Sequence, residues 1–95
     1  METFSKPSPD VIVSDTGFSV QLAGRSRVRY AEGDKSLLVE SEIAILPTGL
    51  IIYPKTITNW LPPNAEELID ESKRNEIVEN IRSACAFAGF EIDVL

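Results

Sequence analysis

The chain predicts an α+β domain: a largely antiparallel sheet of about five or six strands, one long C-terminal helix packed on one face, and a short closing strand. Three observations carry that prediction. Short runs rich in Val, Ile, Tyr and Phe, separated by Gly, Asp and Ser turn signals, fill the first half. One apolar row at helical spacing follows, Ile77, Ile81, Ala84, Cys85 and Ala88. Phe90, Ile92 and Val94 then alternate with Glu91 and Asp93. One helix against one sheet is the arrangement that buries both apolar faces. Residues 1–9, polar and holding Pro7 and Pro9, read as a flexible N-terminal segment, and residues 10–95 as a single domain.

The first predicted hairpin joins Val11-Ile12-Val13 to Phe18-Ser19-Val20-Gln21-Leu22 through Ser14-Asp15-Thr16-Gly17. A four-residue link sets Val13 opposite Phe18 and Val11 opposite Val20, which gathers apolar groups on one face. The second hairpin turns at Gly33-Asp34. A two-residue loop there sets Tyr30 opposite Leu37 and Val28 opposite Val39, so the apolar faces coincide. The same register places Arg27 opposite Glu40 and Arg25 opposite Glu42 on the outer face. Leu37, Val39, Ser41, Ile43 and Ile45 share one parity, so this strand is expected to reach Leu46, with room for a bulge near Ser41. Pro47-Thr48-Gly49 turns the chain into Leu50-Ile51-Ile52-Tyr53, a continuous apolar run that reads as a central strand buried on both faces. Leu61-Pro62-Pro63-Asn64 cannot be helix interior and reads as an extended connector. The helix is expected over Glu71 to Ala88, with Asp70 as N-cap and Gly89 just past its end. Asn64 with Glu67 is a competing start one or two turns earlier.

Composition excludes much chemistry. The chain has 95 residues, no His, one Cys and one Met. It therefore lacks the residues for a His or Cys-cluster zinc site, an internal disulfide, or a triad that uses imidazole. Cys85, in the apolar row of the helix, reads as a small buried hydrophobe. No Gly-rich turn leads into a helix with a Lys, so no phosphate loop is expected. Residues 1–10 offer no apolar run of the kind a signal peptide needs, and the expected compartment is the cytoplasm.

Charge is more informative. Fifteen acidic against nine basic residues give a formal charge of −6, and residues 61–95 hold eight acidic against three basic. That excess repels phosphates, which argues against nucleic-acid binding, and it steers a basic partner toward the C-terminal third. Glu66, Glu67, Asp70, Glu71, Glu76 and Glu79 form an acidic segment there, either a solvated face or a docking surface for a basic protein. Glu40 and Glu42, two residues apart on one strand face, could serve solubility, share a cation or split their pKa values. The row Arg25, Arg27, Arg29 either pairs across the hairpin or grips acidic groups of a partner. Trp60, before Pro62-Pro63, either closes the end of the core or anchors an interface; Tyr53 is divided in the same way.

The run Glu42, Gly49-Leu50-Ile51-Ile52-Tyr53, Ile57, Trp60, Pro62-Pro63, Ile69, Ile77, Ile81 and Gly89-Phe90 resembles bacterial immunity protein family seventy-four, from polymorphic toxin systems. The resemblance covers about residues 10–95. The chain departs from the family pattern at Leu68, where Pro is common, and at Asn59 and Leu61, where charged residues flank the Trp. The resemblance implies an α+β fold, a neighbouring toxin gene, and protection of the producing cell by binding the toxin domain. It does not imply an enzyme, a cofactor or known binding residues. Many toxin domains of such systems act on nucleic acids through basic clefts, which an acidic inhibitor surface would complement. The leading expectation is thus a non-enzymatic inhibitor, monomeric or weakly dimeric. It would contact its toxin through one acidic face built from Glu40, Glu42, Asp70, Glu71 and Glu76, with Trp60 or Tyr53 as anchor. The rivals are an acidic module that self-associates through a sheet edge, and a small metal-dependent hydrolase using Glu40 and Glu42.

Overall fold

In the computed structural model, which describes residues 3–24, 26–43, 49–89 and 91–94, each strand lies beside the next one in sequence. The strands are β1 (Phe4–Ser8), β2 (Val11–Ser14), β3 (Phe18–Leu22), β4 (Arg27–Glu32), β5 (Lys35–Ile43), β6 (Leu50–Ile52) and β7 (Ile92–Val94). The first six pair antiparallel, as tight turns permit. Among the described residues only β6 and β7 run parallel, and the connection between them contains helix α1 (Glu71–Phe87). The α+β architecture is the predicted one, with a sheet of seven strands rather than five or six. The additional strand is β1, inside the segment that the sequence reading sets apart from the domain.

Strand β1 carries too few apolar residues to announce itself. It is held by Phe4, whose ring lies 6.1 Å from that of Phe18 and 5.4 Å from that of Phe87 at the far end of α1. The stack continues from Phe18 to Tyr30 and from Tyr30 to Trp60, with centroids 5.7 and 6.4 Å apart. This aromatic column runs the length of the core. Around it pack Ile12, Val20, Val28, Leu37, Val39, Ile52 and Ile92 of the sheet and Ile77, Val78, Ile81, Ala84 and Cys85 of α1. Each of the Val, Leu and Ile side chains contributes about 1.5–3 kcal/mol by leaving water.

The second hairpin has the predicted register, with Tyr30 opposite Leu37, Val28 opposite Val39 and Arg27 opposite Glu40. The first does not. Val11 faces Gln21, Ile12 faces Val20 and Val13 faces Ser19, one residue away from the expected pairing. The link is three residues, Asp15-Thr16-Gly17, with Gly17 at φ +109° and its N–H donating to Ser14 O. A one-residue slip exchanges the two faces of a strand. Ile12 and Ser14 therefore point inward, and Val11 and Val13 are only half-buried. Ser14 can occupy a core position, 3% exposed, because its hydroxyl is 2.7 Å from Thr16 Oγ1 and accepts from the Thr16 N–H.

Strand β5 pairs with β4 over residues 35–40 and with β6 from Ser41 onward. Its expected continuation to Leu46 lies outside the described residues, as do Arg25 and Phe90. β6 lies between β5 and β7, but Ile51 is half-buried, so the run is not buried on both faces. Past β6 the chain makes a 3₁₀ turn at Pro54–Thr56 and returns along the part of β5 that β6 does not reach. There the Tyr53 N–H donates to Glu40 O at 3.0 Å and the Leu61 N–H to Ser36 O at 2.8 Å. This return lowers Ile57, Trp60 and Ile69 into the core. The segment expected to be extended is instead turned. Pro62-Pro63 is a cis peptide and the Asn64 N–H donates to Leu61 O. Helix α1 then starts where expected. Asp70 accepts from the Lys73 N–H at 2.7 Å, and Gly89 follows the helix at φ +91°.

Candidate partner-binding site

The predicted site residues fall into two groups on different layers. On β5, Leu37, Val39 and Ser41 face the core, so Glu40 and Glu42 lie on the face of the sheet turned away from α1. Tyr53 joins them. Its hydroxyl lies against the Glu42 carboxylate, and that hydrogen bond, then burial and the charges of Glu42 and Glu40, raise the phenol's pKa. Pairing also aligns Glu42, Ile51 and Asp93 across three strands, so this face presents carboxylates beside a half-buried Ile and Tyr. Arg27 and Arg29 lie on the same face. Arg27 stands opposite Glu40 without forming an ion pair, and Arg29 donates to Ser36 Oγ at 3.3 Å.

Asp70, Glu71 and Glu76 belong to the start of α1, on the other layer. They are continuous with Glu66 and Glu67, and all five carboxylates are exposed. In their midst stands Leu68, 80% exposed, bridged through its backbone to Asn59. Its neighbour Ile69 is buried and donates its N–H to Thr58 O at 3.0 Å, which fixes the connector and leaves Leu68 pointing outward. Leu68 thus places one exposed apolar side chain among the carboxylates at the start of α1.

Trp60 belongs to neither group. It is 3% exposed, stacked on Tyr30 and covered by Lys35, whose ammonium is 5.8 Å from the ring centroid and 2.6 Å from Glu67. Of its two readings, the structure takes the core.

The tightest polar geometry joins Glu76, which the sequence reading singled out, to Lys73, Glu32, Tyr30 and Asn80, which it did not offer as site residues. Lys73 Nζ donates to Glu32 Oε2 at 2.7 Å and to Glu76. Tyr30 Oη donates to Glu32 Oε1 at 2.7 Å and accepts from Asn80 Nδ2 at 2.9 Å. Burial alone would raise the Glu32 carboxyl, but the bonds from Lys73 and Tyr30 and the charges of Lys73 and Lys35 outweigh it and hold the pKa low. Burial would likewise lower that of Lys73, and the two carboxylates hold it high. Tyr30 is raised by burial first and by its bond to Glu32 second. The network closes one wall of an open hollow of about 590 Å³, lined by Thr16, Phe18, Tyr30, Glu32, Glu76 and Asn80 among others. Lys73 and Glu32 are 41 residues apart and Asn80 and Tyr30 are 50 apart, so the short Tyr30–Glu32 and Lys73–Glu76 spacings were the available hints.

Among the described residues no three His, Cys, Asp or Glu side chains gather as a metal site requires, and no helix is long and apolar enough to cross a membrane. Cys85 is buried among the apolar side chains of α1, which pushes its thiol up to about 11. No curated protein and no solved structure matches the chain. A model of the immunity protein 74 family does, over residues 19–95, which takes in β3 but for its first residue, β4 to β7, the connector and the whole of α1. The chain thus belongs to the immunity protein 74 family of polymorphic toxin systems, whose members neutralise toxins and are typically not enzymes.

Proposed function

We propose that this protein neutralises a toxin domain encoded by a neighbouring gene by docking the acidic surface at the start of α1 onto a basic surface of the toxin. The observation that carries this reading is Leu68, exposed to 80% among Glu66, Glu67, Asp70 and Glu71. Apolar centres with charged rims combine the area that holds a complex together with the field that steers its encounter. Asp70, Glu71 and Glu76 would supply that field, and the positive end of the α1 dipole is screened from the partner by Asp70 and Glu71. The protein acts in this account without cofactor, in the cytoplasm of the producing cell, and as a monomer. Strand β1, at one edge of the sheet, carries Lys6 and Pro7, two residues that discourage edge pairing with a second copy.

A second reading has its own observation. Glu40, Glu42 and Tyr53 share the outer face of the sheet with Ile51 and Asp93, which supports a cluster with the same combination of apolar centre and carboxylates. Its drawback is Arg27 and Arg29 on the same face, which weaken the field a basic partner would meet.

The test is growth of cells expressing the neighbouring gene's toxin domain with and without this protein, followed by co-purification. Rescue with a stoichiometric complex is expected. Toxicity without rescue and without a complex would overturn the reading. Within that experiment, Leu68→Ser with Glu66→Lys and Glu71→Lys should abolish capture, while Glu40→Lys with Glu42→Lys should spare it. The reverse pattern would transfer the interface to the sheet.

A further inference from the structure

Asn59 and Leu68 face each other across an antiparallel bridge, and beside it the Ile69 N–H donates to Thr58 O at 3.0 Å. Residues paired in this way can be joined by a turn of two residues. Here the chain instead runs through residues 60–67 before it closes the same neck. Among these described residues Trp60 alone enters the core, so packing does not account for the length of the excursion. A compact surface loop whose ends meet is an Ω-loop, and such loops are frequently functional. This one is bonded from within. The Asn64 N–H donates to Leu61 O and the Glu67 N–H to Asn64 O, both at 3.0 Å. The Asn59 side-chain amide reaches across the loop to Ala65 O at 2.8 Å and lies 3.4 Å from Trp60 O. Two further bonds fasten the loop to β5, from the Leu61 N–H to Ser36 O and from Lys35 to Glu67. The residues it leaves exposed are Pro62, Pro63, Glu66, Glu67 and Leu68.

A slack loop loses conformational freedom when a partner immobilises it, and that loss is subtracted from affinity. In this loop the ordering is complete at folding. The same bonds hold Leu68 outward: the bridge fixes its backbone, Ile69 beside it is turned into the core, and its side chain stays 80% exposed. Asp70 and Glu71 adjoin Glu66 and Glu67 around it, and Lys35 offsets one of these four charges. A nucleic acid or an anionic membrane would be repelled, whereas a basic protein surface with an apolar recess is matched in both charge and shape. We propose that residues 58–69 are a preordered docking loop for such a surface on the toxin domain, with Asn59 as the residue that positions it. The proposal rests on the reading of the protein as an inhibitor that docks through Leu68, and it adds how that contact is held ready and which side chain holds it.

Two arms test it, with Asn59→Ala and with Asn59→Ser, whose hydroxyl is too short to reach Ala65 O. Asn59 is exposed, so both variants should fold. In the first arm, amide hydrogen exchange of the full chain is followed by NMR. Exchange at Asn64 and Glu67 should be about tenfold faster in both variants, with the core amides of Ile77 and Ile81 unchanged. Unaltered exchange at Asn64 and Glu67 overturns the positioning role. In the second arm, association and dissociation rates with the neighbouring gene's toxin domain are measured for these variants and for Leu68→Ser. A residue that positions the loop sets the fraction of molecules ready to dock, so the Asn59 variants should associate about tenfold more slowly and dissociate within about twofold of the unaltered chain. Leu68→Ser, which removes a contact, should instead dissociate faster. Unchanged association in the Asn59 variants, or a loss that falls on dissociation as in Leu68→Ser, overturns the proposal. Unchanged binding by Leu68→Ser removes the loop from the interface and overturns the proposal, while the inhibitor reading stands. An unaltered chain that does not bind the toxin domain overturns that reading, and the docking loop with it.

Discussion

The two tyrosines of this protein stand beside carboxylates in very different surroundings. Tyr30 is fully buried, donates to Glu32, accepts from Asn80 and, through Glu32 and Lys73, ties β4 to α1. Tyr53 lies half-buried on the outer face of the sheet with its hydroxyl against Glu42. Both phenols are raised, but burial leads for Tyr30 and a hydrogen bond leads for Tyr53. The difference teaches that one chemical pair helps to hold the fold together where water is excluded and contributes little to it where water has access.

That contrast can be broken in graded steps. Tyr30→Ala should cost about 3–5 kcal/mol, since it removes a central ring of the aromatic column and leaves a cavity; urea titration of the variant would measure it. Tyr30→Phe should cost about 1–2 kcal/mol, because Asn80 and Glu32 each lose a partner in a half-buried setting. Glu32→Gln should cost about 1 kcal/mol at neutral pH, the scale of a half-exposed ion pair. At the small end, Tyr53→Phe should fall within about 0.5 kcal/mol, because its hydroxyl stands on the outer face of the sheet and water can replace what it loses. A cost for Tyr53→Phe that equals that of Tyr30→Phe would erase the distinction.

Acid and alkali sharpen the same comparison. The pKa of Glu32 is lowered by folding, so its contribution is present above the usual glutamate range and is lost as pH falls through the folded value. Thermal melts should show an acid limb that Glu32→Gln flattens. Tyr30, Lys73 and Cys85 are raised, so their contributions are present below their ordinary values and are lost as pH rises. For Cys85 that window runs from 9.0 to about 11, and Cys85→Ala should remove its share of the alkaline loss.

Much of this architecture is legible in the sequence where local rules agree. The second hairpin reads correctly because Gly33-Asp34 allows only one register that aligns Tyr30 with Leu37 and Val28 with Val39. The helix reads correctly because Asp70, the apolar row and Gly89 mark its start, face and end. The first hairpin misleads because alternation cannot foresee Ser14 on the core face, satisfied by Thr16. Strand β1 is hidden for a related reason: its anchor is Phe4 meeting Phe18 and Phe87, contacts that exist only after the chain has folded. The acidic segment was visible as charge. That Leu68 stands at its centre while Ile69 turns inward is a property of the connector's hydrogen bonds, and no periodicity announces it. The division of the carboxylates between two layers follows from the parity of β5 together with the side on which α1 packs.

The most direct test of the account is calorimetric titration of the neighbouring gene's toxin domain with three forms of this protein at two salt concentrations. The forms are the unaltered chain, the helix-start variant Glu66→Lys, Leu68→Ser, Glu71→Lys, and the sheet variant Glu40→Lys, Glu42→Lys. Asp70 is left intact because its side chain caps α1. The account predicts tight, salt-sensitive binding by the unaltered chain and the sheet variant, and none by the helix-start variant. Equal binding by all three forms, indifferent to salt, would contradict it.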